Sequence, residues 1–119
     1  MRDCDESLAA SAQILRAGDT PTAAFAAGEA QAFGVLKAAR RHGIAIPEDL
    51  AVMSFDNTPM AAMACPPLSA VPQPFGGLGH EATWVLLAEG RPSASSRIEP
   101  MTELVLRTAG REQALTAVP

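Results

Sequence analysis

Apolar positions in the stretch CDESLAASAQILRAG recur at Leu8, Ala12 and Leu15, spaced i, i+4 and i+7, with Ile14 alongside. That spacing lines one stripe of a helix and predicts one here. Asp3 or Asp5 can cap its start, and Gly18 ends it. The period then changes. PTAAFAA, residues 21–27, is a short apolar run behind a proline, the pattern of a strand buried on both faces. GEAQAFGVLKAARRHG returns to helical spacing. Phe33, Leu36 and Arg40 share a face, with Ala32, Val35, Ala39 and His42 beside it. Glu29 sits near the positive end of this helix; Lys37, Arg40, Arg41 and His42 sit near its negative end, where cations interact favourably. Gly43 is a natural C′ residue.

IAIPEDLAVMSFD predicts a loop through Pro47 and a strand over 50–55. TPMAAMA predicts a short helix, capped by Asn57 or Thr58 with Pro59 in its first turn. PPLSAVPQP is a brief extended segment. FGGLGHEATWVLLAEG, covering the helix expected over 75–88, carries an apolar stripe of Leu78, Ala82, Val85 and Leu86; Trp84 lies on its edge. Gly76, Gly77 and Gly79 weaken its start, and Gly90 closes it. RPSASSRIEP is a polar loop, TELVLR (102–107) alternates weakly as a final strand, and the rest is a tail. Helices and strands alternate, which predicts an α/β fold with a mostly parallel sheet flanked by helices. Ligands of such sheets bind beyond the carboxyl ends of the strands. The loops AAGEA and SFDNT fall there, so Asp56 is placed where the sheet presents polar groups.

The 119 residues suit one domain. Apolar residues make up 48 %, but alanine supplies much of this, and the aromatics are only Phe25, Phe33, Phe55, Phe75 and Trp84. The core is therefore expected to rely on small side chains and close backbone approach. The net charge of −4, with no basic block beyond Lys37, Arg40 and Arg41, makes these residues poorly suited to neutralising nucleic-acid phosphates. No apolar run approaches the roughly 20 residues of a membrane span. MRDCDESLAA lacks an apolar signal core, so the expected location is cytoplasmic. Cys4 and Cys65 show no metal spacing, and Cys65, in AMACPPL, is expected to be a buried free thiol. Neither Cys65 nor Ser54 has a His–carboxylate arrangement, and GxSxG and phosphate-loop motifs are absent. No catalytic residue, metal or cofactor is expected.

The run from PTAAFAAGEAQAFGVLKAARRHGIAIPEDLAVMSFDNTPMAAMACPPLSAVPQPFGGLGHEA to MTELVLR resembles the effector-binding domain of the LacI/GalR family of bacterial transcription regulators, with residues 5–108 following the family pattern. The resemblance implies a periplasmic-binding-protein-like fold of two α/β subdomains, with a small polar effector such as a sugar or nucleoside held between them. It also implies a homodimer whose DNA affinity changes with effector, an allosteric coupling of two sites. DNA contact belongs to a helix-turn-helix that these residues do not contain. Residues 1–108 are expected to form part of the effector domain, its C-terminal subdomain, and 109–119 a flexible tail. The segment 75–88 would cross back onto the first subdomain, so its stripe is expected to be exposed, repacked or buried against another chain. A solute-binding protein of a sugar transporter shares the fold and is the alternative, although PPLSAVPQP and the missing signal argue against it.

The resemblance carries over four effector positions. Asp56 matches the ligand-contacting Asp, and a carboxylate accepting hydroxyl hydrogen bonds suits sugars and nucleosides. Asn57 lies beside it and also fits a helix cap. Gly28 and Glu29 stand where the family usually has Asn and Asp, so a side-chain contact at 28 is lost and Glu29 doubles as a first-turn helix residue. Ser54 replaces a usual Gly, and Ser69-Ala70 a usual Thr-Thr. The helix 30–42 and the patch 60–67 match dimer-forming surfaces, which nominates Leu36, Arg40, Met60, Met63 and Pro66. Arg107 matches a closing Arg and is expected to be structural.

Overall fold

A computed structural model describes residues 2–16, 18, 21–87 and 101–110. The expected loop at 91–100, the stop at Gly90 and the tail from 111 lie outside the described residues, as does the side chain of Cys4. The elements run α1 (Arg2–Arg16), β1 (Ala23–Phe25), α2 (Glu29–His42), β2 (Ala51–Asp56), α3 (Pro59–Met63), β3 (Ser69–Pro72) and α4 (Phe75–Leu87). The three strands form one parallel sheet in the order β1-β2-β3. β2 is therefore central, and all three carboxyl ends emerge on one edge.

Helix α1 starts at Arg2, so Asp5 lies inside it rather than capping it. Its buried stripe is Leu8, Ser11 and Leu15; Ile14 is exposed and Ala12 only half-buried. The stripe is rotated because α1 packs on α2 through a close backbone approach at Gly34. A Cβ at Gly34 would lie 2.3 Å from Ser7 Oγ and 2.9 Å from the Leu8 amide nitrogen. Ser7 Oγ donates to the Gln31 carbonyl across this seam at 2.9 Å. Gly43 ends α2 in the left-handed conformation (φ 69°), as its C′ position demands.

The core joins Leu8, Leu15, Leu36, Leu50, Val52 and Leu68 with the alanines of α2. Leu36, nominated for a dimer interface, belongs to this internal cluster instead, because it lies on the core-facing side of α2. β1 was expected to be buried on both faces. It is a three-residue edge strand, and Phe25 is 62 % exposed because the sheet face it projects from is left uncovered there.

The expected final strand at 102–107 is a single antiparallel bridge between Ala70 and Val105. Side-chain bonds replace the ladder on either side of it. Ser69 Oγ donates to the Arg107 carbonyl (3.0 Å) and accepts from the Arg107 amide (2.8 Å), and the Thr102 hydroxyl donates to the Pro72 carbonyl. Arg107 Nη1 also donates to the Leu68 carbonyl (2.8 Å), a structural role. The tail expected from 109 begins with a residue that is packed. Ala109 is buried, and its carbonyl and amide bond to Val52 and Pro67 at 2.7 and 2.9 Å.

Helix α4 buries none of its residues, and Phe75, Leu78, Trp84, Leu86 and Leu87 are exposed. Among the described residues no helix is long and apolar enough to cross a membrane, and no group of three His, Cys, Asp or Glu side chains could hold a metal ion.

Candidate functional site

Three loops leave the carboxyl edge of the sheet: Ala26–Gly28 after β1, Asn57–Thr58 after β2 and Gln73–Pro74 after β3. The middle one turns sharply. Asp56 and Asn57 have φ values of 90° and 57°, a region L-residues rarely occupy and in which Asn and Asp are the enriched side chains. Two consecutive residues of this kind cost conformational energy, and neighbouring contacts must hold them in place.

The neighbouring loops supply those contacts. The Gln73 amide donates to the Asp56 carbonyl at 3.1 Å, and Gln73 Nε2 donates to Asp56 Oδ1 at 3.0 Å. On the other side, Glu29 Oε1 accepts from the Thr58 amide and Glu29 Oε2 from the Thr58 hydroxyl, both at 2.5 Å. Thr58 Oγ1 in turn accepts from the Met60 amide at 3.3 Å, capping α3 as expected, with Pro59 in its first turn. Glu29 is only 7 % exposed. A buried carboxylate requires such donors, and hydrogen bonds to a charged group are the strong ones. Glu29 is thus a strut between the β1–α2 and β2–α3 loops.

Gly28 caps α2 with extended backbone (φ −165°) that any residue can adopt. Its surroundings are tight: a Cβ there would lie 2.8 Å from Gln31 Oε1 and 3.6 Å from Asp56 Oδ2. The four nominated effector positions therefore gather at one edge in two roles. Asp56 and Gly28 face a common space, while Glu29 spends both carboxylate oxygens inside the protein. Asn57 Oδ1 is buried with no hydrogen-bond partner among the described residues, and Thr58, not Asn57, caps α3.

Asp56 Oδ2 accepts no hydrogen bond among the described residues, since Gln73 takes only Oδ1. An unfilled carboxylate oxygen beside an amide side chain is suited to accepting from a ligand hydroxyl. Sequence reasoning missed Gln31, Gln73 and the bond from Thr58 to Glu29. Gln73 directly follows a strand-like run in VPQP, so a third carboxyl-end loop could have been counted. Gln31 stands three positions after Gly28, a spacing that places it over the helix start.

Among the interface nominees, Arg40 is exposed, Met60 and Met63 project to solvent (Met63 is 82 % exposed), and Pro66 is half-buried. Cys65 is exposed rather than buried, because it follows the end of the five-residue α3, where only Ala61 packs inward. Ser54 is fully buried within β2 and donates to the Ser69 carbonyl at 3.5 Å.

The model of the periplasmic binding protein-like domain matches residues 2–109. The HTH-type transcriptional regulator MalR of Streptomyces coelicolor is 40 % identical over 101 residues, covering 83 % of this chain and 28 % of that protein. A solved LacI family transcriptional regulator from Arthrobacter sp. FB24, in complex with lactose, superposes with a TM-score of 0.79 at 30 % identity, over 91 % of this chain and 41 % of that one. A LacI family regulator from Lactobacillus casei with bound sucrose gives 0.76 at 26 %, over 90 % and 40 %. The chain spans under a third of the length of MalR and about 40 % of these solved chains. These matches are regulators, which does not favour the transporter alternative.

Proposed function

Since this chain belongs to the periplasmic binding protein-like domain family, in its LacI-type regulator branch, we propose that it forms one wall of an effector cleft that takes a hydroxyl-rich metabolite, a sugar or a nucleoside. The observation that carries this reading is the braced carboxyl edge. Asp56 is fixed by Gln73 on one side and, through Thr58, by Glu29 on the other, with Oδ2 left to accept from a ligand. Preorganisation of this kind lowers the ordering cost of binding. The lactose and sucrose bound by the two solved regulators have the matching chemistry.

In this reading the effector biases the orientation of two lobes, and the bias is read out as DNA affinity elsewhere in the regulator. DNA contact is assigned to a helix-turn-helix of the kind that names MalR, not to these residues. The regulator works in the cytoplasm as a homodimer, with Arg40, Met60, Met63 and Pro66 at the interface. It performs no catalysis.

Asp56→Ala tests the anchor. Loss of a hydrogen bond to a charged group is worth about 1.5–3 kcal/mol, so effector affinity in the intact regulator should fall about tenfold to a hundredfold. Calorimetry on both proteins measures this; equal affinity removes Asp56 from the site.

A further inference from the structure

We propose that Gln31 is the specificity-determining side chain of this cleft wall, its amide tip lying beside Gly28 and next to the open carboxylate oxygen of Asp56. The proposal rests on the effector reading above and adds to it a residue and a hydrogen-bonding pattern.

The backbone at Gly28 does not demand glycine, since its φ of −165° is ordinary extended chain. What a side chain would meet is the tip of Gln31: a Cβ at 28 would lie 2.8 Å from Gln31 Oε1, closer than real Cβ contacts, and 3.9 Å from Gln31 Cδ. A side chain at 28 would therefore push aside the Gln31 tip, the far end of an exposed and flexible side chain. That position borders the ligand-accepting atom, because the same Cβ would be 3.6 Å from Asp56 Oδ2.

The Gln31 amide is also uncommitted. Its position in the first turn would let it reach back to the Gly28 amide as a capping residue. No such bond forms, and among the described residues the Gln31 side chain makes no hydrogen bond, only its carbonyl accepting from Ser7. Gln31 is exposed, whereas Glu29 beside it is buried and satisfied.

Together these residues define what the wall accepts. Asp56 Oδ2 only accepts. The Gln31 amide donates through Nε2 and accepts through Oε1, so either rotation of the amide presents one of each. A hydroxyl that donates to Asp56 and accepts from Gln31 satisfies both groups, and a neighbouring hydroxyl can donate to Oε1. The pattern fits adjacent hydroxyls on a sugar or ribose ring; an apolar group there would leave the carboxylate and amide unpaired, a discrimination stronger than shape alone provides.

The test is a titration of the intact regulator with lactose, sucrose and adenosine, each to millimolar excess, followed by 1H–15N NMR. The Gln31 side-chain NH2 signal is identified by its loss in Gln31→Leu. The expected result is that, with the probe that binds, this signal moves together with the backbone signals of Asp56 and Gln73. Gln31→Leu then weakens that probe tenfold or more, and Gly28→Asn introduced into Gln31→Ala recovers part of the loss. If Asp56 and Gln73 shift while Gln31 does not, and Gln31→Leu binds equally well, this inference is overturned and the effector reading stands. If no signal of the carboxyl edge moves with any probe, both fall.

Discussion

Helices α2 and α4 have opposite fates for their composition. FGGLGHEATWVLL is the more apolar of the two, yet α4 buries no residue. EAQAFGVLKAARRH carries four charged or titratable side chains in its last six positions, yet α2 buries Glu29, Ala32, Gly34, Leu36, Ala38 and Ala39. The difference is the facing surface. Small residues on α2 let the α1 backbone come close, and dispersion contacts accumulate at short range. Leucines and a tryptophan on α4 project outward, Trp84 at 67 % and Leu86 at 83 % exposure. Hydrophobic side chains gain nothing until something covers them. The first turn of α2 also reaches the carboxyl edge, where Thr58 holds Glu29, so the less apolar helix is the one that builds the site.

The sharpest way to break this contrast is Gly34→Val. Its Cβ would meet Ser7 and the Leu8 backbone, so the helices must separate; overpacking of this order should cost about 3 kcal/mol, read by urea unfolding. A loss below that of an ordinary surface change would mean the seam yields easily. Glu29→Gln is next. It replaces a charged acceptor of two Thr58 bonds with an amide that can accept at one oxygen only, and should cost about 2 kcal/mol, read in the same way. Chemical shifts of Asp56 and Asn57 should move with it; a loss of stability with an unmoved loop would make Glu29 a packing residue and not a strut. The smallest effect on stability belongs to α4. Leu86→Ser with Leu87→Ser should change unfolding free energy by no more than about 0.5 kcal/mol, the range of surface substitutions. The same pair should remove association made through α4 in sedimentation and leave the proposed dimer at Arg40, Met60, Met63 and Pro66, since exposed apolar patches mark interaction surfaces. A monomeric wild type would show that the α4 stripe is tolerated in water.

How far the site could be read in advance varied with the residue. Asp56 was found because a polar group at the end of an apolar run signals a carboxyl-end loop. Gln31 and Gln73 were missed because their local signals, a place over the helix start and a place after a strand-like run, say nothing of the contacts to Gly28 and Asp56. Glu29 was nominated both as an effector position and as a first-turn helix residue; it does open α2, but the partner that makes it a strut is 29 residues away. Leu36 was assigned outward on a helical face that the α1 seam turns inward.

The sequence by itself determined the order of elements, the short α3 with its Thr-Pro start, the stop at Gly43, the parallel α/β class and the family likeness. All but the last follow from periodicity, capping and turn chemistry, which act over a few neighbouring residues; the likeness rests on the order of whole motifs. Only the tertiary structure decided that β1 lies at an edge and that 102–107 makes one bridge instead of a strand. It alone decided that Cys65 faces solvent and that Glu29 is consumed by Thr58. Those outcomes depend on which distant segment comes to lie alongside, and the energy of such a contact is set by geometry that no local pattern carries.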